Sequence, residues 1–127
     1  MRNNHVVAVL LIALLLTGTA AAYKGKQLNR EPIEDVVLTD QNGETYTFAT
    51  DAKGVVVVSF IFTQCPDVCP VLTQSLIEVE SALTEDERAD VTFVSISVDP
   101  KRDTPDVLKE YSERMGASWP HLTGTQE

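Results

Sequence analysis

Residues 54 to 72, Gly-Val-Val-Val-Val-Ser-Phe-Ile-Phe-Thr-Gln-Cys-Pro-Asp-Val-Cys-Pro-Val-Leu, constrain the fold more than any other stretch. Val55 to Phe62 is a near-continuous run of β-branched and aromatic residues, which predicts a parallel strand buried on both faces. Cys65 and Cys69, the only cysteines in the chain, follow at once. Val68, Val71, Leu72, Leu76, Val79 and Leu83 then recur at helical spacing, which predicts an amphipathic helix. Both sulfurs therefore fall where a buried strand turns into a helix.

That location has chemical consequences. Asp67 is placed to cap the helix, and Pro70 is tolerable because first-turn N–H groups lack intrahelical partners. A helix N-terminus carries partial positive charge and favours thiolate over thiol. A spacing of four residues on one helical turn brings the sulfurs to one side. The pair can close as a disulfide or chelate one soft metal ion. A purely structural disulfide, or two inert thiols, is the simpler alternative. Against it, so short a loop removes little chain entropy when closed, and Pro66 and Pro70 stiffen the junction as a preorganised site requires.

Thr63-Gln64-Cys65-Pro66-Asp67-Val68-Cys69-Pro70 resembles the copper-site motif of the Sco/SenC family, thioredoxin-fold proteins that assist assembly of the copper centre of cytochrome c oxidase. Val94-Ser95-Ile96-Ser97-Val98-Asp99-Pro100-Lys101-Arg102-Asp103-Thr104-Pro105 and Trp119-Pro120-His121-Leu122-Thr123-Gly124 are similar to the same family. The resemblance implies an α/β, thioredoxin-like three-layer sandwich spanning residues 33–127, built as an N-terminal β-hairpin plus βαβα. It also implies that the final ββα portion, and the histidine completing the family's copper site, belong to sequence beyond Glu127, so the domain reads as C-terminally truncated.

The 127 residues allow one domain. Residues 1–22 read as a signal peptide or N-terminal membrane anchor. Arg2 gives a positive start, Val6 to Leu16 an apolar core, and Ala20-Ala21-Ala22 small residues for cleavage. Val6 to Ala22 is uncharged over 17 residues, at the lower limit of a spanning helix. Residues 23–32 form a polar tether. Either reading exports the domain to the extracytoplasmic side of the membrane, anchored or released, where a disulfide can persist. The net charge of −9 argues against nucleic acid and anionic lipid surfaces as partners.

In chain order, Val36-Val37-Leu38 and Thr45-Tyr46-Thr47-Phe48 flank Asp40-Gln41-Asn42-Gly43, which predicts a β-hairpin. Thr84 to Asp90 reads as a charged surface connection, and Val91 to Val98 as the second core strand of a βαβ unit. Asp103 or Thr104 caps the next helix. Its apolar stripe is Val107, Leu108, Tyr111 and Met115, and Gly116 ends it. Met115 reads as core, not as a ligand. No strand pair is expected after Trp119.

Two functions of different class follow. The first is a copper-binding assembly factor with Cys65 and Cys69 as ligands. Its partners would be the cytochrome c oxidase subunit carrying the copper centre and a thiol reductant protein. The second is a thiol–disulfide oxidoreductase or peroxiredoxin-like enzyme, in which one cysteine attacks and the other resolves. Three residues between the cysteines suit chelation, whereas redox enzymes of this fold usually have two. Asp67 and Asp99 are candidates to support the site or face a partner, with helix capping and turn formation as their plainer roles. His5 falls in the targeting segment, and His121 reads as a surface residue without a metal.

Overall fold

The computed structural model describes residues 35–125. The signal or anchor of residues 1–22 and the tether of residues 23–32 lie outside the described residues. In chain order the elements are β1 (Val37–Asp40), β2 (Thr45–Thr47), α1 (Phe48–Asp51), β3 (Val55–Ile61), α2 (Val68–Ala82), α3 (Glu85–Ala89), β4 (Val91–Ser97), α4 (Pro105–Met115) and β5 (His121–Thr123). The strands form one mixed sheet in the order β2-β1-β5-β4-β3.

The expected hairpin is present, closed by a three-residue loop. Gly43 donates to the Asp40 carbonyl at 3.0 Å, and Asp40 Oδ1 accepts from the backbone N–H groups of Asn42 and Glu44, each at 2.8 Å. This is the type I turn plus left-handed residue that favours glycine at its last position; Gly43 has φ +82°.

β3 and β4 run parallel in unbroken register from Val55↔Val91 to Ile61↔Ser97. Gly54 makes the approach to β3 possible. Its φ is +64°, and a Cβ there would lie 2.0 Å from the Asp90 carbonyl oxygen. That oxygen accepts the Val55 N–H at 2.8 Å, so neither the conformation nor the space admits a side chain.

Three expectations are corrected. β3 is not buried on both faces. It is an edge strand among the described residues, and Val55, Val58 and Phe60 are exposed while Ser59 and Ile61 are buried. The doubly covered strand is β4, with Phe93, Val94, Ser95 and Ser97 buried. Second, a single strand that the sequence did not suggest follows Trp119. β5 lies parallel to β4 and antiparallel to β1, joining the hairpin to the βαβ unit. Third, the charged connection contains α3. Thr84 accepts from the Glu87 N–H while the Glu87 carboxylate accepts from the Thr84 N–H, a complete capping box.

Strand alternation divides the core. On one face, Ile61 meets Leu108 and Tyr111 of α4 and Cys69 of α2. On the other, Tyr46, Val94 and Leu122 form a second cluster with Leu38, Phe48, Val56 and Ile96 against it. There an open apolar depression is lined by Val36, Phe48, Val58, Phe60 and Ile96.

A long β-branched edge without charge or proline is a template for pairing with another chain. A polypeptide limited to residues 23–127 is expected to self-associate, as measured by light scattering, and Phe60→Lys on the exposed face to reduce it. A monodisperse parent polypeptide would show that this edge and face are covered.

Candidate functional site

The chain leaves β3 in a turn, with the Cys65 N–H donating to the Phe62 carbonyl at 3.1 Å. It then enters α2 at Asp67, which occupies the N-cap position as expected. The Asp67 carboxylate makes no capping hydrogen bond. Instead, the Cys69 N–H donates to Cys65 Sγ at 3.3 Å. The acceptor for a first-turn amide is thus a sulfur two residues before the cap.

Both cysteines are free thiols, each under a tenth exposed. The Cys65 thiol is held below its ordinary range. The hydrogen bond from Cys69 is the main cause, followed by the backbone amides of Asp67, Cys69 and Val68. Burial pushes the Cys69 thiol up, reinforced by its hydrogen bond to Cys65 and, more weakly, by the charges of Cys65 and Asp103. Of the two, Cys65 is thus the thiol that ionises more readily. Such an arrangement supplies one nucleophilic sulfur and one held in reserve.

The helix that carries Cys69 is rotated from the face its apolar residues suggest. Val68, Val71, Leu72 and Val79 are exposed, whereas Cys69 and Thr73 are buried. Small side chains on the inward face let α2 approach α4, and Thr73 Oγ1 and Tyr111 Oη share a hydrogen bond at 3.0 Å. Tyr111 also packs against the cysteines, beside Ile61 and Leu108, with Phe62 and Met115 at the margin. Met115 is thus core, as expected.

Of the two residues expected to cap α4, Thr104 takes the N-cap position without a side-chain hydrogen bond, and Asp103 turns inward, fully buried. Its Oδ2 accepts from the Thr63 N–H at 3.0 Å and Ser97 Oγ at 2.5 Å, and its Oδ1 from Thr63 Oγ1 at 2.6 Å. Asp99 instead forms the turn after β4, pairing with Arg102 at 2.7 Å and accepting the Asp103 N–H on its carbonyl. Of the acidic side chains, Asp103 is the one whose charge reaches Cys69. Asp67 is exposed at the mouth of the loop.

His121 is not a surface residue. It is fully buried on the face that α2 and α4 cover, stacked on Trp119 and 5.9 Å from the Tyr111 ring centroid. Nδ1 donates to the Trp119 carbonyl at 2.9 Å, while Nε2 has no partner among the described residues. Tyr111 touches both this ring and the cysteines. Among the described residues no group of three His, Cys, Asp or Glu side chains could hold a metal. The dithiol thus offers two soft donors. Ser59, Ser95 and Trp119, assigned no individual role above, continue the buried polar row. Trp119 Nε1 donates to Ser95 Oγ at 2.8 Å, and the two serine hydroxyls are 2.9 Å apart. Serine at alternate positions of two core strands was the available signal.

The SCO1/SenC family profile matches residues 25–127. The SCO2-like protein of Rickettsia felis is 32% identical over 142 residues, covering 98% of this chain and 68% of that one. The structure of Bradyrhizobium japonicum ScoI with copper bound superposes with a TM-score of 0.64 at 37% identity, covering 72% of this chain. BsSco, a member of the Sco family of cytochrome c oxidase assembly proteins in which a disulfide switch was identified, gives 0.65 at 29% identity, covering 80%. The chain spans 57% and 60% of the lengths of those two structures.

The unequal thiols predict unequal alkylation. Limiting iodoacetamide at neutral pH should modify Cys65 first, read by peptide mass spectrometry; equal rates would contradict the lowered Cys65 and raised Cys69 thiols. Burial also depresses the His121 pKa, outweighing the opposing bond to Trp119. The neutral ring is the one the fold accepts. The stability this gives is complete above the ordinary imidazole value, roughly 6.5, and is lost as pH falls through the lower folded-state value. Thermal unfolding across that range should show the loss, and His121→Leu should flatten it.

Proposed function

This chain belongs to the SCO1/SenC family, and we propose that it is a copper-binding assembly factor acting on the copper centre of cytochrome c oxidase. Cys65 and Cys69 would hold Cu(I), and the protein would deliver the ion or keep the thiols of that centre reduced. The observation that carries this reading is the placement of both sulfurs at the start of α2, with a first-turn amide on Cys65 Sγ. Thiolates are soft donors and prefer Cu(I) to harder ions. The copper-bound Bradyrhizobium structure supports copper as the ion.

The partners in this reading are the oxidase subunit that carries the copper centre and a protein that reduces the dithiol. Residues 1–22 would target the domain to the extracytoplasmic side of the membrane, where oxidation of the pair needs a reductant to reverse it.

The division of labour between the thiols favours a second reading, a thiol–disulfide oxidoreductase. Cys65 thiolate would attack a partner's disulfide, releasing one partner thiolate and forming a mixed disulfide. Cys69, losing its proton, would then attack Cys65 Sγ, releasing the second partner thiolate and leaving a Cys65–Cys69 disulfide. The disulfide switch described for BsSco is in keeping with this chemistry.

Titration of the reduced protein with Cu(I) against a competing chelator tests the copper reading. Cys65→Ser and Cys69→Ser should each lose most of the affinity, at least a hundredfold, about 2.7 kcal/mol. His121→Ala should change it less than threefold, while lowering stability by about 2–3 kcal/mol through the cavity it leaves. Parental binding by both serine variants would overturn the assignment. A tenfold loss in His121→Ala would make that ring a ligand. Mild oxidation should remove both free thiols, counted under denaturing conditions; two remaining thiols would exclude the disulfide.

A further inference from the structure

We propose that Asp103 is the positioning residue of the dithiol: through Thr63 it fixes the loop carrying Cys65, and it thereby sets both the Cu(I) affinity and the thiol–disulfide equilibrium of the pair. The proposal rests on the dithiol reading given above.

Asp103 is fully buried and forms no salt bridge among the described residues. A buried carboxylate without a cation is costly, and it persists where hydrogen bonds satisfy it. Both its oxygens are engaged, by the Thr63 N–H, the Thr63 hydroxyl and the Ser97 hydroxyl. Capping does not explain it, because Thr104 holds the N-cap position of α4 and no side chain caps the helix.

What the carboxylate joins is informative. Thr63 lies two residues before Cys65, on the segment leaving β3. Ser97 is the last residue of β4, and its hydroxyl also accepts the Asp99 N–H at 3.0 Å. One side chain thus ties together the ends of two parallel strands on the edge where Cys65 turns back toward α2. The Cys65 loop has few other anchors: its turn bond to Phe62 and the Cys69 N–H on its sulfur. Without the tether the two sulfurs would be held together less often, so chelation and disulfide closure would both weaken.

Asparagine separates the contacts from the charge. Asp103→Asn can keep every contact if Nδ2 donates to Thr63 Oγ1, while removing the charge. Asp103→Ala removes both charge and contacts, and Thr63→Val removes one contact alone. The measurements are Cu(I) competition and equilibration of Cys65/Cys69 against a dithiothreitol redox buffer, with thermal unfolding run beside them. In that equilibrium the protein dithiol is oxidised to a disulfide with loss of two electrons and two protons, and oxidised dithiothreitol takes them up.

Asp103→Asn should hold Cu(I) affinity within threefold of the parent or tighten it. Asp103→Ala should weaken Cu(I) at least tenfold. Asp103→Ala should also lower the constant for disulfide formation at least tenfold, a shift of about 30 mV to less negative potential. Thr63→Val should move both quantities the same way, by threefold or more, and it stands in if Asp103→Ala does not fold. Variants that lose thermal stability but keep both constants within twofold of the parent would make Asp103 merely structural and overturn the proposal. Failure of the parent to bind Cu(I) would remove the copper reading instead, and the dithiothreitol equilibrium would still decide the role of Asp103.

Discussion

The Cys69 amide on Cys65 Sγ is the contact on which the rest of the site depends. A helix start leaves N–H groups without partners, and the adjacent residue usually supplies an oxygen. Here Asp67 occupies the capping position and its carboxylate does not serve. A sulfur does, and the amides of Asp67 and Val68 add to the same field. A charge at a helix start is worth about 0.3–1 kcal/mol when exposed and up to about 2 kcal/mol when partly buried. The reactive group is thereby also a structural one. Any chemistry that engages Cys65 Sγ also changes how α2 begins.

That contact is available because two parallel strands end side by side. Sites in open α/β sheets gather at the carboxyl ends of strands, where successive loops leave the same edge. β3 delivers Thr63 to Cys69 there, and β4 delivers Ser97 to Asp103. Tyr111, from the helix that follows, closes the inner wall, and its hydroxyl is shared with Thr73 of α2. The site is assembled from three segments of chain, and only one of them carries sulfur.

The strand–cysteine–helix junction was legible in the sequence because apolar run, sulfur spacing and helical period follow one another between Val55 and Leu83. The hairpin at Asn42-Gly43 and the end of α4 at Gly116, where φ is +75°, were legible because glycine conformation is a local property. The inward turn of Asp103 was not, since a cap and a buried tether share the same residue types before a helix. The face of α2 misled for a related reason. Periodicity favours the valines, but packing against α4 selects the small residues Cys69 and Thr73. β5 has three residues and no signal of its own; pairing on both sides with β1 and β4 creates it. The capping box of α3 was present as Thr84-x-x-Glu87 and was hidden by the charge around it.

The chain has a single tryptophan, and its surroundings make it an optical probe of unusual specificity. Trp119 is buried, donates its indole N–H to Ser95, lies 5.5 Å from the Phe93 ring and stacks within 12° of the His121 plane. Its emission therefore reports on the seam between β4 and β5, within the parallel part of the sheet. It looks at the dithiol only indirectly, through His121 and Tyr111. A change in fluorescence on oxidation or metal uptake would mean that the seam itself has moved.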